Sequence, residues 1–573
     1  MLLVLLGWLL LLVGTVPIGH AFLRRPSFRS EDEVNDNALV HPFLAGLAAA
    51  CTWSMCWAMF GGLGAWALVA WLCLSLAATW AYRDTLAQLV GARWRTVLEE
   101  PRGALALRAA LAVVALMGSA APSELVDEGW YILPYLRWLE EHGAVHGIAQ
   151  LEDRFGFNSA VHSAGALFSL HWAWGPGLYD LNGLMLLLVG SWFAGGVSRL
   201  IRSARPLLSD LLCGFFLLFL LRNMLTGPRS DLPAMLLSEL MLVMLVRRIE
   251  AGTALRDDRS FRSLALYGAM LPAIKLSSAL FSLIPAGILV GMVIKRSRVP
   301  WAWLLAIGSA VLGPWTAMNV RVSGYLVYPL YQVDLVDVDW KLPERVVRQQ
   351  YYYVSEFART NAKPEDSERL HLERTLRDWV PVWFARENRM NRATAVLLAA
   401  SILVLLAALI LKAPLLWRHH RALLWTGGLL VLNDVWWFLH APAFRFGWAA
   451  IMGTIVFALY AMLGTWRNGL PLRAGTLALL AVITVQNVWK GFPAEPTALV
   501  DRVIVPAPAP TVPYRTGMLH GVEVHEVEGE FCWATPPPCL ARGFDRHVRP
   551  RGTRLRDGFR YVPGPIAPQP VAP

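Results

Sequence analysis

Three carboxylates, Glu124, Asp127 and Glu128, follow directly on an apolar stretch that ends near Ala121. A carboxylate at a membrane surface has lost part of its hydration, which raises its pKa and makes it a better base. An Asp in that position can take the proton from a hydroxyl as the hydroxyl attacks a sugar carbon. The plainer alternative is a solvated acidic face. Cations form the second group. Lys275 lies in the apolar run Leu271-Pro-Ala-Ile-Lys-Leu-Ser-Ser, where an embedded ammonium is costly and marks a functional site by default. Arg154, Arg222, Arg229 and Arg445 fall in loops or near helix ends. There they either snorkel without a task or converge on a phosphate or pyrophosphate leaving group. His142, His146, His162 and His171 form no H-E-x-x-H motif. His142 and His146 are four apart, but Gly143 and Gly147 oppose a long helix between them, so interfacial polar residues are the simpler reading than a metal site. With no Walker loop, G-x-S-x-G elbow or C-x-x-C pair, the sequence supports neither an ATP-driven pump nor a serine hydrolase.

The elements that must position these groups are membrane helices. The chain has 573 residues, 56% apolar and 16% charged, against about 25% charged in an ordinary soluble chain. Its mean hydropathy is +0.45. A single soluble domain and a disordered chain are both excluded. The net charge of +11 suits Arg-rich cytoplasmic loops better than a nucleic-acid partner, and the 26 Trp suit interfacial belts. About fourteen stretches approach the length of a span. They lie near 1–23, 39–60, 63–82, 104–121, 176–198, 207–222, 232–246, 263–274, 276–294, 300–318, 393–411, 422–439, 448–466 and 474–489. Met1–Leu23 lacks a basic start and a small-residue cleavage site and reads as a span, not a cleaved leader. The stretch 263–294 reads either as one tilted helix or as two broken around Pro272 and Lys275.

Short basic loops follow the third, fifth, seventh, ninth, eleventh and thirteenth spans, with Arg83, Arg199, Arg247, Lys295, Lys412 and Arg467 among their charges. The positive-inside rule puts those loops in the cytoplasm and segments 122–175, 320–392 and 491–573 outside. Three parts result: 1–103, three spans and a basic loop; 104–490, the membrane core; and 491–573, a Pro-rich tail. In the first outer loop, Ile132–His142 has the spacing of a short helix lying on the membrane surface. In the second, Asn319–Pro329 reads as extended, and Pro343–Thr360 and Pro364–Trp379 as helices with Pro in the first turn. In the tail, Gly521–Phe531 alternates like a strand, while Val505–Pro513 and Pro563–Pro573 cannot build a core. Cys51, Cys56, Cys73 and Cys213 fall in apolar helices as small hydrophobes. Cys532 and Cys539, in a tail placed outside, can pair in an oxidising compartment or remain two thiols.

A multi-span chain with an Asp-Glu step early in its first large outer loop resembles the GT-C glycosyltransferases. Val126-Asp127-Glu128 looks like the aromatic-Asp-Glu motif of protein O-mannosyltransferases, with Val for the aromatic residue. A broader resemblance is to a group of bacterial integral membrane proteins related to GT-C enzymes. It rests on Asp127–Tyr131, Trp138-Leu-Glu-Glu-His-Gly, Arg154-Phe-Gly-Phe-Asn158-Ser159, Arg229-Ser-Asp231-Leu-Pro233 and Ile274-Lys275-Leu-Ser. Asn319 through Pro329, Asp339-Trp-Lys-Leu-Pro343, Ala441-Pro-Ala-Phe-Arg445-Phe-Gly447 and Cys532-Trp533 through Cys539 complete it.

The resemblance implies an all-α polytopic enzyme of the bacterial inner membrane with a GT-C-like core. It would move a sugar from a polyprenyl-phosphate donor to an envelope glycan, lipid or protein at the outer face. Asp127 would be the base, with Glu128 orienting the acceptor or holding a divalent metal. Lys275, Arg154, Arg229 and Arg445 would hold the lipid phosphate, and Asp231 would orient a cation. The sequence departs from that pattern in the acidic Glu128 and in the three spans ahead of the core. The competing classes are a transporter or flippase for an anionic lipid or solute, which predicts broken helices and often an inverted repeat, and an envelope assembly protein that docks through its tail.

Overall fold

The computed structural model describes residues 1–23, 39–122, 125–203, 207–222, 227–463, 470–491, 502–542, 544 and 547–563. Glu124 and the final ten residues lie outside them, as do the side chains of Arg222 and of residues 411–421.

Among the described residues, eighteen α-helices dominate. The first four are α1 (Leu2–Leu23), α2 (Val40–Ala58), α3 (Ala65–Leu98) and α4 (Arg102–Ala120). Two short helices, α5 (Leu133–Glu141) and α6 (Ala160–Phe168), fill the next loop. Then come α7 (Leu181–Arg202), α8 (Leu208–Arg222), α9 (Asp231–Glu250), α10 (Arg259–Ile274), α11 (Leu283–Ile294) and α12 (Trp301–Ser323). A second cluster of short helices is α13 (Glu344–Thr360), α14 (Ser367–Glu373) and α15 (Leu376–Arg386), followed by α16 (Arg389–His440), α17 (Phe444–Leu463) and α18 (Leu470–Gly491).

Among the described residues, nine helical segments are long and apolar enough to cross a membrane. They are Leu2–Leu23, Ala65–Leu98, Arg102–Ala120, Leu181–Arg202, Leu276–Ile294, Trp301–Ser323, Arg389–Ala408, Ala422–His440 and Phe444–Met462. Leu208–Leu220 and Arg473–Gln486 are apolar but shorter. The other stretches read as spans, in α2, α9 and α10, are helical but do not meet that measure. α9 carries Asp231, Glu239, Arg247, Arg248 and Glu250, and every residue from Asp231 to Val246 is buried, as is Arg248. The basic loop expected after the third span is instead a continuation of α3 to Leu98, with non-helical angles at Tyr82. The stretch 263–294 is broken: α10 ends at Ile274, Lys275 is extended, and a 3₁₀ segment Leu276–Ser282 leads into α11.

α1 and α2 meet backbone to backbone. A Cβ on Gly19 would run into the Pro42 carbonyl, and one on Gly46 into that of Thr15. Such close approach is available only to small residues, which is how helices associate where lipid supplies no hydrophobic drive.

The expected surface helix is present as α5 but does not lie on the surface. Leu133 through Glu140 are all buried. Its polar residues are matched inside the protein: Arg137 bonds His171 at 2.6 Å and Glu141 at 2.7 Å, and the Tyr179 hydroxyl donates to Glu140 at 3.0 Å. Asn319–Ser323 is the last turn of α12, not extended chain, and Gly324 ends that helix at φ +83°. Pro364–Trp379 is not one helix, because Arg374 and Thr375 are extended and Thr375 caps α15.

The tail forms a small β structure. β1 (Tyr514–Leu519) and β2 (Val522–Val527) make a hairpin around His520-Gly521, both at positive φ, as a two-residue turn of this hand requires. β3 (Cys539–Leu540) pairs parallel to β2, and β4 (Val548–Pro550) pairs antiparallel to β5 (Phe559–Tyr561). Cys532 and Cys539 are joined by a disulfide. The tail runs across loops from distant parts of the chain. The Met1 ammonium donates to the Arg502 carbonyl, Ala507 N–H to Ala120, Trp533 N–H to Gly129 and Phe559 N–H to His146. Arg551 grips Asp339 with two bonds of 2.8 and 3.0 Å.

Candidate functional site

The acidic step begins a helical turn, and from Glu128 to Ile132 that turn widens to the π form. The widening leaves one carbonyl to be served from outside the turn. Leu133 N–H bonds the Glu128 carbonyl, five residues back. The group that would serve Gly129 in the same register belongs to Pro134, which has no N–H. The Gly129 carbonyl is instead met by Trp533 N–H at 2.9 Å. Single π turns inside helices are frequent at functional sites.

The turn sends its two carboxylates in different directions. Asp127 keeps 28% side-chain exposure and pairs with Arg445 (Oδ2–Nη1 2.7 Å). Glu128 is fully buried beside Gly227, with Arg229 Nε 3.7 Å from its Oε1. The desolvation expected from sequence therefore falls on Glu128. Burial pushes its carboxyl up to about 7, Arg229 opposes that, and the Asp127 charge adds to it. Glu128 is closed off from solvent, so the expected task of orienting an acceptor is not open to it in this arrangement. Its neighbours make it a brace for the segment that carries Arg229, whose carbonyl is held by Asn182 Nδ2 at 2.8 Å.

A second ion pair stands beside the first. Asp231 opens α9, where a carboxylate is favoured by the exposed N–H groups and the helix dipole. Its Oδ1 lies 2.6 Å from Lys275 Nζ. Lys275 is delivered by the break after α10, where Ser159 Oγ donates to the Ile274 carbonyl at 2.8 Å. Arg445 sits in the first turn of α17, whose approach is fixed by Trp437 Nε1 donating to the Ala443 carbonyl at 2.8 Å. The Phe446 ring lies under both cations, 4.4 Å from Lys275 Nζ and 5.0 Å from Arg445 Cζ. Asp231, Lys275 and Arg445 are the charged part of a small cleft with Met235, Phe281 and Trp437 on its walls, and Asp127 reaches it through its pairing with Arg445.

Not every expected site residue reaches the cleft. Arg229 is turned to Glu128. The Arg154 guanidinium lies 3.7 Å above the Trp130 ring, bonds Glu152 at 3.1 Å and has Tyr353 of α13 at 5.6 Å. Asn158 is a buried tie. It accepts from Tyr135 at 3.2 Å, donates to Asn319 at 3.1 Å, and receives Trp315 Nε1 on its carbonyl at 2.8 Å, binding α12 to the loop. The histidines do not gather. His146 packs on Trp340 and His142 on Trp138, while His162 is buried with its pKa lowered to about 4 by desolvation and by the nearby Lys275 charge. Among the described residues no three His, Cys, Asp or Glu side chains are grouped to hold a metal ion.

Sequence reasoning missed the aromatic parts of the site: Phe446, Trp437, Trp130, Tyr353 and Trp533. The Phe-Arg-Phe step at 444–446 and the Tyr351-Tyr-Tyr353 run were visible signals. An aromatic residue in a membrane protein is too common for either to stand out before its neighbours are known.

A protein-family model described as "Domain of unknown function (DUF8201)" matches residues 1–452. The match takes in every charged residue of the two ion pairs and stops before the tail. No curated protein and no solved structure matches the chain.

Proposed function

The chain belongs to the DUF8201 family, and we propose that it is a membrane glycosyltransferase that moves a sugar from a polyprenyl-phosphate carrier to an envelope acceptor. The observation that carries this reading is the cleft lined by Asp231, Lys275 and Arg445 with Met235, Phe281 and Trp437, and Asp127 paired to its Arg445. A polyprenyl-phosphate sugar needs both parts, since its chain belongs among apolar side chains and its phosphate against cations. In this reading Asp127 takes the proton from the acceptor hydroxyl as that oxygen bonds to the anomeric carbon. The bond from the same carbon to the phosphate oxygen breaks, and its electron pair leaves with the polyprenyl phosphate. Lys275 and Arg445 meet the charge that develops there, worth most in a site that excludes water. A single displacement of this kind inverts the anomeric centre. The span count between nine and fourteen, the bacterial inner membrane and an outward-facing site belong to the same proposal, supported by the distribution of Arg and Lys between loops.

The test is transfer of labelled sugar from polyprenyl-phosphate donors in proteoliposomes. Asp127→Asn is expected to lose about 10²–10⁴-fold in rate while inserting and folding normally. Full activity in that variant removes Asp127 as the base.

One observation favours a second reading as a transporter of an anionic lipid or solute. The interruption at Lys275 between α10 and α11 is a discontinuous helix with a charge at its break, a common device of transporters. Donor movement across the bilayer without a covalent product would select that reading.

A further inference from the structure

We propose that Trp533, in the disulfide-closed loop of the tail, is a positioning residue that holds the Asp127–Glu128 turn in the register that pairs Asp127 with Arg445. The proposal rests on Asp127 being a site residue, but its structural half stands apart from the reaction.

Three observations converge. The Gly129 carbonyl lacks a donor within its own turn because Pro134 stands where the N–H would be, and Trp533 N–H supplies one at 2.9 Å. Gly129 has no side chain, and the Trp533 indole occupies the space a Cβ would need. Phe531 then meets Trp130 edge to face at 5.9 Å, so the tail engages two successive residues of the turn. Trp533 itself sits at φ +48°, a left-handed conformation uncommon for a bulky residue. The disulfide from Cys532 to Cys539 fixes the loop from the preceding residue.

The geometry gives the tail a job that burial alone does not. An unpaired buried carbonyl is costly, and a π turn that could not satisfy Gly129 would relax toward the ordinary helical register. Asp127 and Glu128 stand on the N-terminal side of Gly129. Such a shift would rotate both away from Arg445 and Arg229.

The test is hydrogen–deuterium exchange on the full-length protein in nanodiscs, with sugar transfer measured alongside. Trp533→Ala keeps the backbone N–H but removes the indole that seats it against Gly129, and is expected to speed exchange of the 128–133 amides about tenfold or more and leave the α10–α12 amides unchanged. Trp533→Phe should restore protection. Gly129→Ala should loosen the turn in the parent chain and add little on top of Trp533→Ala, because the two changes disrupt one contact. For transfer, Trp533→Ala should lower kcat about tenfold with donor KM unchanged, and Trp533→Phe should recover it. Unchanged exchange at 128–133 overturns the proposal, as does loosening spread across α7–α12, which would make the tail a general support. A loosened turn with undiminished transfer also overturns it. A parent protein that shows the local exchange pattern but transfers no sugar refutes the glycosyltransferase reading and leaves the clasp standing.

Discussion

Two adjacent carboxylates on one turn come to opposite chemistry because one faces a cation at the cleft and the other faces the interior. Glu128 gives the sharper prediction. In the unfolded chain it titrates near 4.5, whereas burial lifts it to about 7 in the folded protein. Below pH 4.5 both states hold the proton and the site costs nothing. Between about 4.5 and 7 the unfolded chain gives up its proton first, so stability falls as pH rises, by about 3 kcal/mol at completion. Glu128→Gln should flatten that slope in thermal melts from pH 5 to 8 and gain most above pH 7. The Asp231–Lys275 pair behaves differently. Lys275→Ala leaves a buried carboxylate without its partner and should cost about 3–5 kcal/mol, read as a lower melting temperature. Asp231→Asn combined with Lys275→Met should recover most of the melt but not sugar transfer. At this scale the sequence marked Asp127, Asp231, Lys275 and Arg445 through residue type in apolar or loop context. It did not mark their pairing, since Arg445 and Asp127 are 318 positions apart and no spacing rule reaches that far. Nor could it separate Glu128 from Asp127, because the π turn that parts them depends on a tail residue.

Among the elements, helices were legible because length and apolarity announce them, and their surroundings were not. Ile132–His142 had the pattern of an amphipathic surface helix, yet α5 is covered on all sides. Its polar residues found partners in His171 and Tyr179 instead of water. The break in 263–294 was one of two readings from Pro272 and Lys275. The structure keeps Pro272 inside α10 and breaks at Lys275, where the extended backbone places the ammonium against Asp231. The α1–α2 contact carries its own prediction. Gly46→Ala forces a methyl against the Thr15 backbone, which no rotamer change can relieve. It should destabilise by about 1–3 kcal/mol or more and lower the yield of folded protein recovered from membranes, whereas Gly308→Ala, with open space around its Cβ position, should be silent.

For the whole molecule, orientation is the property on which the proposed reaction depends most. In a background with Cys56 and Cys73 replaced by Ser, Leu335→Cys should react with a membrane-impermeant maleimide on intact spheroplasts. Trp94→Cys should react only after lysis. Both positions are well exposed, at 76% and 65%, so silence at either reflects its side of the membrane. The reverse pattern would put the cleft in the cytoplasm and end the outer-leaflet reading. Composition and charge sufficed to expect long apolar helices, which the structure contains, and to propose their sidedness. The path of the tail over Ala120, Gly129 and His146 was invisible in a Pro-rich sequence, because the hydrogen bonds that fix that path reach loops hundreds of residues away.

That path has a consequence in time. Trp533 follows Gly129 by about 400 residues, and ribosomes add roughly 5–20 residues per second. The acidic turn of a nascent chain therefore waits about 20–80 s for the residue that completes it. During that interval the helices can insert and pack while the carboxylates remain out of register. A chain truncated by a stalled ribosome would enter the membrane without the residue that completes the turn.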